Sequence, residues 1–202
     1  MDLLNLTSSA WQHLFDIYLV LGVIAGVVTV GFLLYFALRY RGTGPAVVRG
    51  GEGGGKVAVI IVVLMAIALV IAAYSSIGVI QYQSTPPDPA IHINVIGRQW
   101  AWGFQYPDGR EVWGVLRIPA NTTVVLNVTS VDVFHNFGIP AFRVKADAVP
   151  GYYETIWLVA PSAGTYPIFC YELCGAGHTL MTANLVVMNQ SSYLQWYDGG
   201  GS

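Results

Sequence analysis

VAVIIVVLMAIALVIAAYSSIGVI, residues 57–80, runs for 24 positions without a charged side chain and is soon followed by Pro86-Pro87-Asp88-Pro89. As a helix rising ~1.5 Å per residue, such a run covers the ~30 Å hydrocarbon core of a bilayer and satisfies its own backbone hydrogen bonds there. Buried helices of soluble proteins seldom stay uncharged on every face for so many turns. The prolines end the helix, because proline has no backbone donor and its ring clashes with the preceding turn.

Upstream lies a second such run, Ile17–Leu38, of 22 residues. Helices over about 14–40 and 56–83 therefore form a transmembrane hairpin within residues 1–84. The first run is no cleavable signal: Asp2 and Asp16 precede it without Lys or Arg, it is too long, and basic residues follow it instead of a small-residue cleavage site. Between the runs stand Arg39, Arg41, Arg49 and Lys56 against Glu52 alone, which makes the connecting loop cytoplasmic and places residues 85–202 outside the plasma membrane. Tyr74 and Tyr82 suit an outer interfacial belt. Glycines 42, 44, 50, 51 and 53–55 make the loop a flexible connector.

Downstream of the prolines the composition changes to short runs rich in Val, Ile, Thr, Tyr and Trp: 91–96, 100–106, 111–118, 122–128, 152–159, 164–170 and 182–187. Turn residues separate them at roughly regular spacing. Residues 85–202 are therefore expected to form an all-β Greek-key sandwich, with a short helix over 191–197. The chain as a whole is 54% hydrophobic and 10% charged, where a soluble domain carries about a quarter charged residues. A net charge of −2 excludes a nucleic-acid-binding role, which needs a basic excess.

Chemistry concentrates in Cys-Tyr-Glu-Leu-Cys-Gly-Ala-Gly-His-Thr-Leu-Met (170–181), with His135 upstream. Thiolate, imidazole and thioether are the soft and borderline ligands that suit copper. A blue-copper site uses one thiolate, whereas Cys170 and Cys174, four apart on one loop, can both bridge two copper ions. His135 and His178 then supply one nitrogen to each, Met181 a weak sulfur to one, and the carbonyl of Glu172 an oxygen to the other. Two other readings use the same residues: a Cys170–Cys174 disulfide, and a tetrahedral zinc site of two cysteines and two histidines. His92 and His13 have no such context.

With these residues in hand, the chain resembles subunit II of the heme-copper oxidases of the cytochrome c oxidase type, over nearly its whole length. The hairpin, Gly-Arg-Gln-Trp-Ala-Trp (97–102), Thr-Ser-Val-Asp-Val-Phe-His-Asn-Phe-Gly-Ile-Pro (129–140), Lys-Ala-Asp-Ala-Val-Pro-Gly (145–151) and the cysteine loop carry the resemblance. It implies a cupredoxin domain with a binuclear CuA centre, which takes electrons from an external cytochrome c or blue-copper protein. The electrons pass to heme in subunit I, for reduction of oxygen to water coupled to proton translocation.

Carried over by position, His135, Cys170, Cys174, His178 and Met181 match the copper ligands, and Glu172 the residue that gives its main-chain carbonyl. The Glu172 carboxylate matches one that reaches magnesium or manganese at the interface with subunit I. Trp100 matches the residue at which electrons enter, and Asp132 and Asp147 match acidic positions at the docking face and the subunit interface. Subunit I, with its hemes and CuB, and subunit III are the implied partners, and the complex, an oxidoreductase and translocase, is the enzyme.

The match has departures. Eight acidic against five basic residues leave the soluble part at −3, so a strongly acidic docking patch is not evident. Glu52 is the one candidate for a carboxylate at the mouth of a proton channel. No Cys-x-x-Cys-His heme attachment motif occurs. Two alternatives stand beside this reading: the CuA subunit of a nitric oxide reductase, and a membrane-anchored copper-binding or metal-delivery module. Asn5, Asn121, Asn127 and Asn189 head potential glycan-acceptor triplets.

Overall fold

Two long apolar helices, ten short strands, a third short helix and 3-10 turns make up the computed structural model, which describes residues 6–42 and 54–199. Glu52, Arg49, Asn5 and most of the glycine-rich connector lie outside the described residues. The chain divides into two units, one of them Ala10–Ile80 and the other built on Gln81–Ser202.

In the first unit, α1 is Leu6–Arg39, and α2 is Gly54–Ser84, whose last residues belong to the second unit. Each contains a 29-residue apolar candidate span, Trp11–Arg39 and Lys56–Ser84. Most large side chains of both spans are exposed among the described residues, Val27 and Leu69 at 68% each. That surface suits lipid and would be costly in water. A polar link joins the helices: the Tyr18 hydroxyl lies 2.6 Å from Ser76 Oγ and donates to the Ala72 carbonyl at 3.1 Å. α1 starts well before the expected residue 14, since helicity needs no apolar run; Gln12 donates to Asp16 one turn on, at 3.0 Å.

The second unit is a two-sheet sandwich. Its strands are β1 (Ala90–Arg98), β2 (Ala101–Gln105), β3 (Glu111–Trp113), β4 (Val115–Pro119), β5 (Thr123–Ser130), β6 (His135–Ile139), β7 (Val144–Ala148), β8 (Glu154–Val159), β9 (Gly164–Cys170) and β10 (Thr182–Met188). One sheet runs β3-β2-β1-β5-β8 and the other β4-β10-β9-β6-β7. Alternate residues point inward: Ile93, Val95, Trp102, Phe104 and Leu126 of the first sheet meet Leu116, Ile118, Phe137, Ile139, Ile168 and Leu185 of the second, all fully buried. α3 (Gln190–Asp198) follows, capped by the Asn189 side chain, which accepts from the Ser192 amide at 2.8 Å. Tyr82, expected in an interfacial belt, packs edge-on against Trp157 at 5.0 Å.

Three expectations change. The run 111–118 is two strands in different sheets, because Gly114 at φ +75° turns the chain from one sheet to the other. β6 and β7 stand where no strand was expected. They are short, and the Pro140–Phe142 turn and Arg143 at φ +54° separate them. Of the glycan triplets, Asn127 has its amide engaged, donating to Asn94 Oδ1 at 3.3 Å and accepting from Thr155 at 3.1 Å, so it is no free acceptor.

Candidate metal centre

β9 and β10 are antiparallel neighbours, and the segment between them carries the cysteine loop. The loop leaves and re-enters the sheet through one backbone bond, from the Cys170 N–H to the Met181 carbonyl at 3.2 Å. Inside it, Gly175 at φ +121° and a 3-10 turn, His178–Leu180, fold the chain back on itself. β6 lies beside β9 with Phe137 opposite Cys170, and this register brings His135 to the loop's base.

His135 Nδ1 lies 3.9 Å from Cys170 Sγ, the two cysteine sulfurs are 3.8 Å apart, and Cys174 Sγ is 3.6 Å from His178 Nδ1 and 3.7 Å from Met181 Sδ. The Glu172 carbonyl oxygen is 3.3 Å from Cys170 Sγ. All five side chains and the carbonyl singled out by sequence thus meet in one place. His135 and Met181 are completely buried and both cysteines nearly so, whereas His178 is half-buried. The thiols are free, far beyond the ~2.05 Å of a disulfide bond. Donors so spaced fit shared metals: the edge of a tetrahedron with ~2.3 Å bonds is ~3.8 Å. His135, Cys170 and Cys174 place their donors within 4.8 Å of one another, and His178 stands outside that group, attached through Cys174. The soft donor set and its two-lobed arrangement fit a copper pair better than one tetrahedral zinc.

Asp132 fixes the buried histidine. Its Oδ1 is 2.9 Å from His135 Nε2, which leaves Nδ1 for the sulfur side. The same carboxylate accepts from the Val133 amide at 2.6 Å and the Gln99 amide at 2.7 Å. Burial pushes the Asp132 carboxyl up, but these donors and the His135 ring outweigh it and bring it down to about 2. Burial also pushes the Cys174 thiol up to about 11, with Cys170 and Asp132 acting the same way. A bound cation reverses that logic, since a coordinating thiol is deprotonated outright.

Trp100 sits in the turn between β1 and β2 and is 41% exposed. Its indole lies flat on the cysteine loop: a Cβ at Gly177 would stand 2.7 Å from Trp100 Cγ and Cε3, and one at Gly175 3.3 Å from Nε1. The Glu172 side chain is exposed and joins no metal-capable cluster among the described residues. Asp147, exposed on β7, accepts from Asn136 at 2.7 Å. Sequence reasoning missed Gln99, whose side chain donates to the Cys174 carbonyl at 2.6 Å, and the anchoring role of Asp132, for which its place three residues before His135 was the available signal.

The family described as cytochrome c oxidase subunit II, periplasmic domain, matches residues 109–189. The chain is 31% identical over 214 residues to a heme-copper oxidase subunit 2 of Aeropyrum pernix, covering 96% of this chain and 91% of that one. It is 42% identical over 108 residues to a cytochrome c oxidase subunit 2 of Thermostichus vulcanus, covering 54% of this chain and 33% of the relative. The crystal structure of the periplasmic domain of subunit II of cytochrome oxidase of Bradyrhizobium japonicum superposes with a TM-score of 0.55 at 30% identity, over 57% of this chain and 96% of that one. Two candidate spans followed by a sandwich of this kind make the protein membrane-anchored, with an extracytoplasmic C-terminal domain.

Proposed function

We propose that this chain, which belongs to the subunit II family of the heme-copper oxidases, is the electron-entry subunit of a terminal oxidase. The observation that carries the reading is the pair of buried thiols 3.8 Å apart between two histidines, with an exposed indole lying on the same loop. When bound there, a binuclear copper group supplies one-electron chemistry shared between two nuclei.

The chain's own residues define what that group experiences. Cys170, Cys174, His135, His178, Met181 and the Glu172 carbonyl are the groups that would hold it, the two thiols lying between the two histidines. Asp132 holds the His135 ring in one tautomer and orientation. The sandwich excludes water from the His135 side and fixes His135 and Cys170 on adjacent strands, so on that side little has to rearrange when charge changes. Trp100 offers the exposed ring at which a cytochrome c or blue-copper carrier delivers its electron. Subunit I, with its hemes and CuB, is the acceptor and reduces oxygen with coupled proton translocation, and subunit III completes the assembly. The Glu172 carboxylate, exposed beside the centre, gives an oxygen to magnesium or manganese at the subunit I interface.

The test is electron paramagnetic resonance of the purified complex, with a copper-to-chain ratio and an assay with oxygen and with nitric oxide. A copper hyperfine pattern shared equally between two nuclei, with oxygen consumption, is the expected result. A single-copper pattern or retained zinc overturns the centre; turnover of nitric oxide instead of oxygen reassigns the complex.

A further inference from the structure

The motif 97–102 contributes more than its tryptophan. Gln99, one residue before Trp100, makes two hydrogen bonds that reach the centre at two different points. Its side-chain Nε2 donates to the Cys174 carbonyl at 2.6 Å, and its backbone N–H donates to Asp132 Oδ2 at 2.7 Å. Asp132 Oδ1 in turn holds His135 Nε2 at 2.9 Å. The turn is pinned again by the Val131 N–H, which donates to the Gly97 carbonyl at 3.1 Å. Only a glycine fits beneath: a Cβ at Gly175 would stand 2.8 Å from Gln99 Nε2.

From these contacts we infer that Gln99 is a positioning residue for electron entry, coupling the Trp100 ring to Cys174 through its side chain and to His135 through its amide and Asp132. The inference rests on the reading of Trp100 as the entry point. Tunnelling decays less steeply along bonds and hydrogen bonds than across open van der Waals gaps, and Gln99 gives the backbone of Trp100 one such route to Cys174 and another, through Asp132, to His135. One electron leaves a reduced carrier protein, which is oxidised, and arrives at the metal pair, which is reduced; no bond of Gln99 breaks and no proton moves. The residue type follows from the contact. A carbonyl accepts and never donates, so its partner must be a donor; glutamate at this position would set one acceptor against another, and leucine would offer nothing.

The test uses Gln99→Leu and Gln99→Glu in the intact complex, both of which keep the backbone N–H. Reduction by a soluble c-type cytochrome is followed by stopped flow. The limiting rate at saturating cytochrome should fall by about tenfold in both variants, on the scale where ~1 Å of misplacement costs up to ~10²-fold, with half-saturation unchanged. In parallel, the copper-free full chain labelled with 5-fluorotryptophan is examined by fluorine NMR, the Trp100 signal being assigned with Trp100→Phe. That signal should shift in both Gln99 variants.

An unchanged limiting rate overturns the inference, as does a rise in half-saturation alone, which would mean docking. If a variant takes up no copper, the fluorine signal decides, and an unshifted signal overturns the inference. If Gln99→Glu matches the wild type in rate and signal, the hydrogen bond is irrelevant and the inference falls. If Trp100→Phe itself leaves the rate unchanged, the entry reading has failed, and the fluorine shift still tells whether Gln99 holds the ring.

Discussion

His135 enters the centre from the first position of β6, completely buried and with its second ring nitrogen held by Asp132. His178 enters from a short 3-10 turn, half exposed, and among the described residues no hydrogen bond reaches its Nε2. The two nitrogens play like roles on unlike supports. One lobe is set by the sheet; the other is carried by the loop between β9 and β10. A site divided this way can be stiff toward the protein interior and still compliant toward whatever covers its open side.

The largest effect that can break this comparison comes from the sulfurs, which belong to both lobes. Cys170→Ser or Cys174→Ser should abolish the shared copper hyperfine pattern and most copper retention in the purified complex, because two separate supports no longer have a common bridge. A shared pattern surviving in either variant would falsify the bridging arrangement.

Next comes Asp132→Asn, which strikes the sheet-held lobe and, through Gln99, the anchor of the 97–100 turn. Copper affinity measured by chelator competition should fall by about 10–100-fold, the usual effect of losing the carboxylate behind a metal-binding histidine. An unchanged affinity would show that burial in β6 alone orients His135.

A smaller effect is predicted on the loop side for Gly177→Ala. Its new Cβ would overlap the Trp100 ring, which is exposed and free to lift away. Cytochrome-driven reduction should slow by about tenfold with the copper spectrum kept, since the entry group moves and the ligands do not. Loss of copper instead would mean that the loop is as rigid as the sheet.

The smallest effect lies away from both lobes. Burial, with Tyr197 and Asp108 adding to it, pushes the Tyr193 hydroxyl from 10.0 up to about 12. A raised folded-state value means stability present below about pH 10 and lost as pH climbs toward 12. Tyr193→Phe keeps the ring and should remove on the order of 1–2 kcal/mol of that alkaline loss in denaturant melts from pH 9 to 12, with the copper centre unaffected at neutral pH.

The hairpin and the cysteine loop were legible because each is local. An uncharged run long enough for a bilayer, or five donors within twelve positions, needs no knowledge of the rest of the chain. β6 and β7 were not, because residues such as Lys145 and Asp147 are polar on the outer face and each strand is only five residues long. The crossing at Gly114 had its signal in a glycine inside an apparent strand. The link of Gln99 to Asp132 depends on the 97–100 turn meeting the 130–133 turn, a contact between segments some thirty residues apart. Polar side chains in turns look alike in sequence whether they meet water or a ligand's peptide.

The single backbone bond between Cys170 and Met181 closes the neck of the loop, so four of the five side-chain donors travel together as a cartridge, the twelve residues 170–181, whose two ends are the fixed posts. The socket is His135, with Asp132 behind it. A replacement cartridge of other length or composition, joined at the same two posts, inherits one ready-made histidine, and the metal it selects is then decided by the insert alone.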